Sequence, residues 1–320
     1  MLSITDKKFA LSVALSYIGF LSAFEKEKLE NKLISDNLDT PDKVELISIE
    51  YISQAVLRMP GKVIWPIEKL ALKTFRAMKI MERNGIGLIR FDDKEYPPLL
   101  QEIHGKPYAL YFRGNCECLR NEACAIVGTR KATGDGRRQA FNLAKALAEK
   151  GITVVSGLAL GIDAMAHKGA LEAKDGKTAA VLACGLDSIY PVANVQLAAK
   201  ILQNGGCLVS EYAPGQVPLK YRFPERNRII SGLSKATVVI EAPAKSGSLI
   251  TADFALEQNR DLFFHEAALK YPDKKTDSAK WSALNYIEDG APVVKDAETV
   301  IEYIRQGFNP CNVNRQLELL

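Results

Sequence analysis

Ala125-Ile126-Val127-Gly128-Thr129-Arg130-Lys131-Ala132-Thr133-Gly134-Asp135-Gly136 reads as a short apolar strand that stops in a glycine loop, with a helical pattern behind it from Arg137 to Lys150 and a second strand at Thr153-Val154-Val155. Strand, glycine loop, helix, strand is the layout of a phosphate cradle. Glycines let backbone N–H groups approach an anion, the helix start adds positive potential, and Arg130 offers a forked donor. The spacing Gly128-x5-Gly134-x-Gly136 matches neither the dinucleotide fingerprint nor a Walker loop. By itself it specifies an anion near a βα turn, or a tight turn bearing surface arginines.

Downstream, further strands are expected at Thr178–Cys184, Cys207–Ser210, Ala236–Ile240 and Leu262–Phe264, with helical stretches between them. Short apolar strands alternating with amphipathic helices imply a Rossmann-like, doubly wound α/β domain: a mostly parallel sheet with helices on both faces. Ligands in such sheets bind at the carboxyl ends of the strands. Those ends carry Gly128-Thr129-Arg130, Ser156-Gly157 through Asp163, Gly185-Leu186-Asp187, Ser210-Glu211 and Ala242 to Ser248.

Upstream, residues 1–83 read as helices only: a run from Asp6 through Phe24, a start at Thr40-Pro41, and a pattern from Pro66 to Asn84-Gly85. A small all-helical domain of SAM-like or helix-hairpin-helix-like type is expected there. Residues 84–122 are expected to form a connector, with a strand at Ile86–Phe91 and no regular element across Pro97-Pro98. Residues 123–306 form the sheet domain and 307–320 a tail.

With 320 residues and a net charge of +4, composition is ordinary globular. No apolar run approaches the roughly 20 residues of a membrane span, and Met1 to Asp6 lacks the features of a signal peptide, so a cytoplasmic location is expected. The six cysteines, scattered without C-x2-C spacing, fit reduced thiols. Cys116, Cys118 and Cys124 near His104 have poor spacing for zinc, and neither metal nor cofactor is expected.

Charge is concentrated where it is informative. Ala213 to Lys235 holds five Lys/Arg against one Glu, a net charge equal to that of the whole chain. Lys220, Arg222, Arg226 and Arg228 interleave with Tyr221 and Phe223. Phosphates take Lys/Arg while unpaired bases take aromatic faces, so this pattern suits a single-stranded nucleic acid. The competing reading is a solvated basic loop with Phe223 in the core. Arg226-Asn227-Arg228 are expected to open a helix, setting guanidinium groups against its dipole where an anion would offset them.

The motifs Ala125 to Arg130, Ser156-Gly157-Leu158-Ala159-x-Gly161-Ile162-Asp163-x3-His167, Gly185-Leu186-Asp187-x2-Tyr190-Pro191, Ser210-Glu211, Phe223-Pro224-x-Arg226-Asn227-Arg228 and Ser246-Gly247-Ser248-Leu249-x-Thr251-Ala252 together resemble the DNA-processing protein A (DprA/Smf) family. Tyr96-Pro97-Pro98-Leu99-Leu100 through Arg113-Gly114 is similar to its lead-in. The resemblance implies a homodimeric single-stranded DNA-binding protein that loads the RecA recombinase during natural transformation. It also implies DNA-binding roles for Gly128, Thr129, Arg130, Ser156, Gly157, Lys220, Phe223, Arg226, Asn227, Arg228, Ser246 and Gly247. Where the family usually has Val-Pro-Gly, this chain has His265-Glu266-Ala267, and a Gly-x-Asn of the family is replaced near Ser282-Ala283-Leu284. Only Gly307 to Leu320 follows the last helix, so the winged-helix domain of many relatives is expected to be absent.

No catalytic residue is expected. Asp163 and His167, four apart, read as a helix cap and a packed histidine in preference to an acid–base pair. The alternative function is a hydrolase related to the nucleoside-monophosphate phosphoribohydrolases, suggested by Glu241 and the Ser246-Gly247-Ser248 turn. Their Pro-Gly-Gly-x-Gly-Thr signature and its following Glu are not matched, since Asp253 stands after Thr251.

Overall fold

Parallel strands covered on both faces are buried at every position, and the two strands that flank the glycine loop, Ala123–Val127 and Thr153–Ser156, satisfy this. A computed structural model describes residues 7–61, 63, 65–270 and 282–306. Nine strands form one sheet: β1 (Ile86–Arg90), β2 (Ala109–Gly114), β3 (Ala123–Val127), β4 (Thr153–Ser156), β5 (Thr178–Val181), β6 (Cys207–Ser210), β7 (Ala236–Val239), β8 (Asp261–His265) and β9 (Val293–Val294). Their order is β1-β2-β6-β5-β4-β3-β7-β8-β9, parallel from β6 to β9, with β1 and β2 antiparallel at one edge. Along β3, Cys124 and Ile126 enter the core under one helical layer while Ala123, Ala125 and Val127 enter the other. The chain leaves β3 toward β4 on one side and returns to β7 on the other, which creates a switch point at the β3 carboxyl end.

Two readings of the sequence need correction. The segment after Pro97 is regular: Pro98 opens the short helix Pro98–Glu102, where a missing N–H is harmless, and Ala109–Gly114 joins the sheet beside β6. The strand expected to reach Cys184 ends at Val181.

Among its described residues the N-terminal segment holds five helices, Lys7–Ser16, Ala23–Ser35, Pro41–Leu46, Ile49–Val56 and Leu70–Asn84. The run expected to continue through Phe24 breaks because Ser22 and Glu25 form a capping box that starts a new helix. These helices share a core with β1, β2 and one face of β5 and β6. A buried Arg90 on β1 bonds both carboxylate oxygens of Glu30, at 2.5 and 2.8 Å, and also Ser12, Tyr108 and Asp92. Glu30 lies on the second helix, so this network fastens the helices to the sheet. The expected tail, 307–320, with its Cys311, lies outside the described residues.

Candidate nucleic-acid interface

At the switch point a crevice of about 680 Å3 opens over the carboxyl ends of β3, β4 and β7. Gly128, Thr129 and Arg130 line it from β3, and Ala159 and Asp163 from the β4 loop. Ser246 and Gly247 follow β7, and Lys220, Phe223, Arg226 and Asn227 come from the basic segment. Of the twelve residues assigned from sequence, nine therefore line one crevice. Ser156, Gly157 and Arg228 do not.

Three of the side chains face open space. Arg130 and Lys220 are exposed, and Arg130 sits 5.3 Å from the centroid of the half-buried Phe223 ring. Tyr190 packs 5.5 Å from the same ring. Tyr190 is 46% exposed and was visible in the sequence only as part of the Gly185 to Pro191 motif. An aromatic pair edged by a guanidinium and an ammonium offers a stacking surface next to phosphate-binding charge. Gly247 begins the helix Gly247–Glu257, so its N–H lacks an intrahelical acceptor, and Asn227 holds this turn by donating to Gly247 O at 3.1 Å.

The other assigned side chains serve the protein itself. The helix expected to open at Arg226 begins at Arg222, because Pro224 sits in the first turn where no N–H is needed. Arg226 thus falls in the second turn, 4% exposed, with Nη1 donating to Gly157 O (2.8 Å) and Val181 O. Gly157 is glycine because a Cβ there would lie 2.6 Å from that guanidinium. Arg228 turns away to a two-pronged ion pair with Glu211, at 2.6 and 2.7 Å. The Ser156 hydroxyl is buried and donates to Ile126 O at 2.7 Å. In the structure these three side chains bond acceptors within the protein: local sequence displays a donor but not the acceptor that the fold delivers to it.

The cradle is likewise engaged within the protein. Glu241, at the end of β7, accepts from Thr133 N–H (2.9 Å) and the Thr133 hydroxyl (2.5 Å), and a Cβ on Gly136 would meet its carboxylate at 2.1 Å. The protein's own carboxylate thus occupies the space beside the start of the helix Gly134–Glu149 and leaves the Arg130 and Gly247 side of the crevice open.

Asp163 and His167 do not face each other chemically. Asp163, buried, accepts from Gly157 N–H (3.1 Å) and Ala159 N–H (3.4 Å); burial raises its pKa, while Arg226 and then Arg130 oppose the rise. It lies inside the first turn, and the cap position belongs to Gly161, whose φ of 81° and 2.3 Å approach of Thr129 O to a hypothetical Cβ demand glycine. The Thr178 hydroxyl donates to Val154 O, so His167 Nδ1–H donates to Thr178 Oγ1, both at 2.7 Å. Burial, reinforced by Arg226, pushes His167 down to about 3.

A pH dependence follows. The unfolded chain protonates His167 near pH 6.5, whereas the folded chain stays neutral down to about 3. Stability falls as pH drops through this window, by about 1.4 kcal/mol per pH unit. Between pH 7 and pH 5, urea unfolding should therefore lose roughly 2 kcal/mol through this residue, and His167→Asn, which does not titrate, should lose correspondingly less. Equal losses in both proteins would contradict this.

Among the described residues, no group of three or more His, Cys, Asp or Glu is placed to hold a metal, and no helix is long and apolar enough to cross a membrane. Cys124 is buried within β3, and the described cysteines are free thiols.

A doubly wound sheet whose switch-point crevice carries cations beside an aromatic pair is an arrangement able to hold phosphates and flat rings. The chain belongs to the family of DNA recombination-mediator protein A, whose sequence model matches residues 87–305. Protein Smf of Escherichia coli is 40% identical over 229 residues, 72% of this chain and 59% of that protein. DNA processing protein DprA of Bacillus subtilis is 38% identical over 237 residues, 74% of this chain and 77% of that one. The match to the E. coli protein thus spans under two thirds of its length. The crystal structure of DNA processing protein A from Streptococcus pneumoniae aligns with a TM-score of 0.66 at 30% identity, covering 91% of this chain and 95% of that one. DNA processing protein A from Helicobacter pylori, described for its single-stranded DNA binding mode, aligns at 0.58 and 27% identity over 70% of this chain and 97% of that one.

Proposed function

We propose that the chain is a non-enzymatic mediator that holds single-stranded DNA in the switch-point crevice and delivers it to a RecA-type recombinase in the cytoplasm, during natural transformation. The observation that carries the reading is the cluster of Arg130, Phe223 and Tyr190 beside Lys220. A base takes the Phe223 face as Arg130, which has no hydrogen bond or ion pair among the described residues, swings to a phosphate. Lys220 and the Gly247 N–H take neighbouring phosphates. Duplex DNA buries its base faces, so a ring-lined crevice favours single strands.

Gel-shift titration with single-stranded and duplex oligonucleotides at matched salt should show tighter binding of the single strand with little sequence preference. Equal affinity would refute the reading. Against the hydrolase alternative, both acids that suggest it are engaged: Glu241 is held by Thr133, and Asp253 accepts the Tyr286 hydroxyl at 2.5 Å. No base release from nucleoside monophosphates is expected, and release abolished by Glu241→Gln would restore that alternative.

We also propose a homodimer, since an open sheet leaves edge strands β1 and β9 to be covered. Light scattering at micromolar concentration should give twice the chain mass. A monomer mass would exclude it.

A further inference from the structure

The start of the helix Arg222–Gly232 separates two cavities. Lys220, Phe223 and Asn227 line the crevice, while Tyr221, Arg222 and Arg228 line a second cavity of about 580 Å3 whose far wall includes Lys26 and Tyr108. Lys26 is only 8% exposed, yet among the described residues its ammonium has no hydrogen bond and no carboxylate within ion-pair distance. It sits over the Tyr108 ring, 5.7 Å from the centroid. The two carboxylates of the cavity are already engaged, Glu211 by Arg228 and Glu225 by the Tyr212 hydroxyl at 3.0 Å. A buried cation with no carboxylate in contact is unfavourable, and burial, offset only in part by the more distant Glu211, pushes Lys26 down to about 8. An arriving anion would relieve that cost.

The opposite wall offers rings. Arg222 stacks 4.4 Å from the Tyr212 ring centroid and 5.9 Å from that of Tyr221, which is 57% exposed. Buried ammonium, guanidinium and phenol rings together suit a nucleotide unit, with phosphate at Lys26 and base at the tyrosines. Adjacent residues Lys220 and Tyr221 line the two cavities in turn, so a strand leaving the first passes the mouth of the second.

We propose that the cavity between the N-terminal helices and the helix Arg222–Gly232 is a second nucleotide subsite, in which Lys26 pairs with a backbone phosphate of the bound single strand. This rests on the crevice being the primary site.

The test is the salt dependence of oligothymidylate binding by the full chain carrying Lys26→Met or Lys26→Arg. Lys26→Met should reduce the slope of log affinity against log salt by about 0.7, the increment of one single-strand phosphate, while Lys26→Arg keeps the wild-type slope. Methionine replaces an unpaired buried charge with an apolar stem, so without DNA the variant should melt at or above the wild-type temperature. A wild-type slope in Lys26→Met overturns the inference, as does a reduced slope in both variants. If Lys220→Ala loses slope while Lys26→Met does not, this inference alone falls. If the wild-type protein fails to prefer single strands, the primary reading falls with it.

Discussion

Phe223→Ala is expected to weaken single-stranded DNA binding by roughly 1 to 3 kcal/mol at every salt concentration, without changing the slope of log affinity against log salt. The ring is half-buried, with Tyr190 at 5.5 Å and the Arg130 guanidinium at 5.3 Å, so truncation removes a stacking face already held in place. Stacking displaces no condensed cation and leaves the slope intact. Lys220→Ala and Arg130→Ala should behave in the opposite manner, each lowering the slope by about 0.7. The discriminating control is thermal: Phe223 is not in the core, so the variant should melt close to wild type. Normal binding with a markedly lower melting temperature would make Phe223 a packing residue and remove the stacking role.

Arg226→Met is expected to be the most damaging single change, costing about 3 to 5 kcal/mol of stability. Its guanidinium donates to carbonyls at the ends of β4 and β5 and opposes the burial of Asp163. Removing it strands Gly157 O, Val181 O and a buried carboxyl together. Adding Asp163→Asn should return part of the loss, because the amide oxygen can still accept from Gly157 and Ala159 while carrying no charge. Urea unfolding of the two single variants and the double variant measures the coupling. A loss below about 1 kcal/mol for Arg226→Met would show that the guanidinium is not the fastener described.

The contrast between Phe223 and Arg226 marks what the sequence could convey. The parallel strands were readable because double-sided burial leaves an uninterrupted apolar run, as at Ala123 to Val127. β2 escaped because two prolines precede it and its pairing with β6, almost a hundred residues later, has no local signature. β9, two residues long, carries no period to detect. At the crevice, the alternation of cations and rings is legible in the sequence, and Lys220, Phe223 and Arg130 line it together. The partners of Arg226, Arg228 and Ser156 are carbonyls and a carboxylate brought from distant strands, so their framework roles appear only after folding. Glu241 likewise shows only in three dimensions why the glycine loop is closed to an external anion.

The most direct test is ultraviolet cross-linking of oligothymidylate to the full chain, with the attached peptides identified by mass spectrometry. Cross-links are predicted at Tyr190 and Phe223, with loss of the Phe223 adduct and weakening of the Tyr190 adduct in Phe223→Ala. Cross-links that avoid both residues, or a Tyr190 yield unchanged by Phe223→Ala, would contradict binding of the single strand in the switch-point crevice.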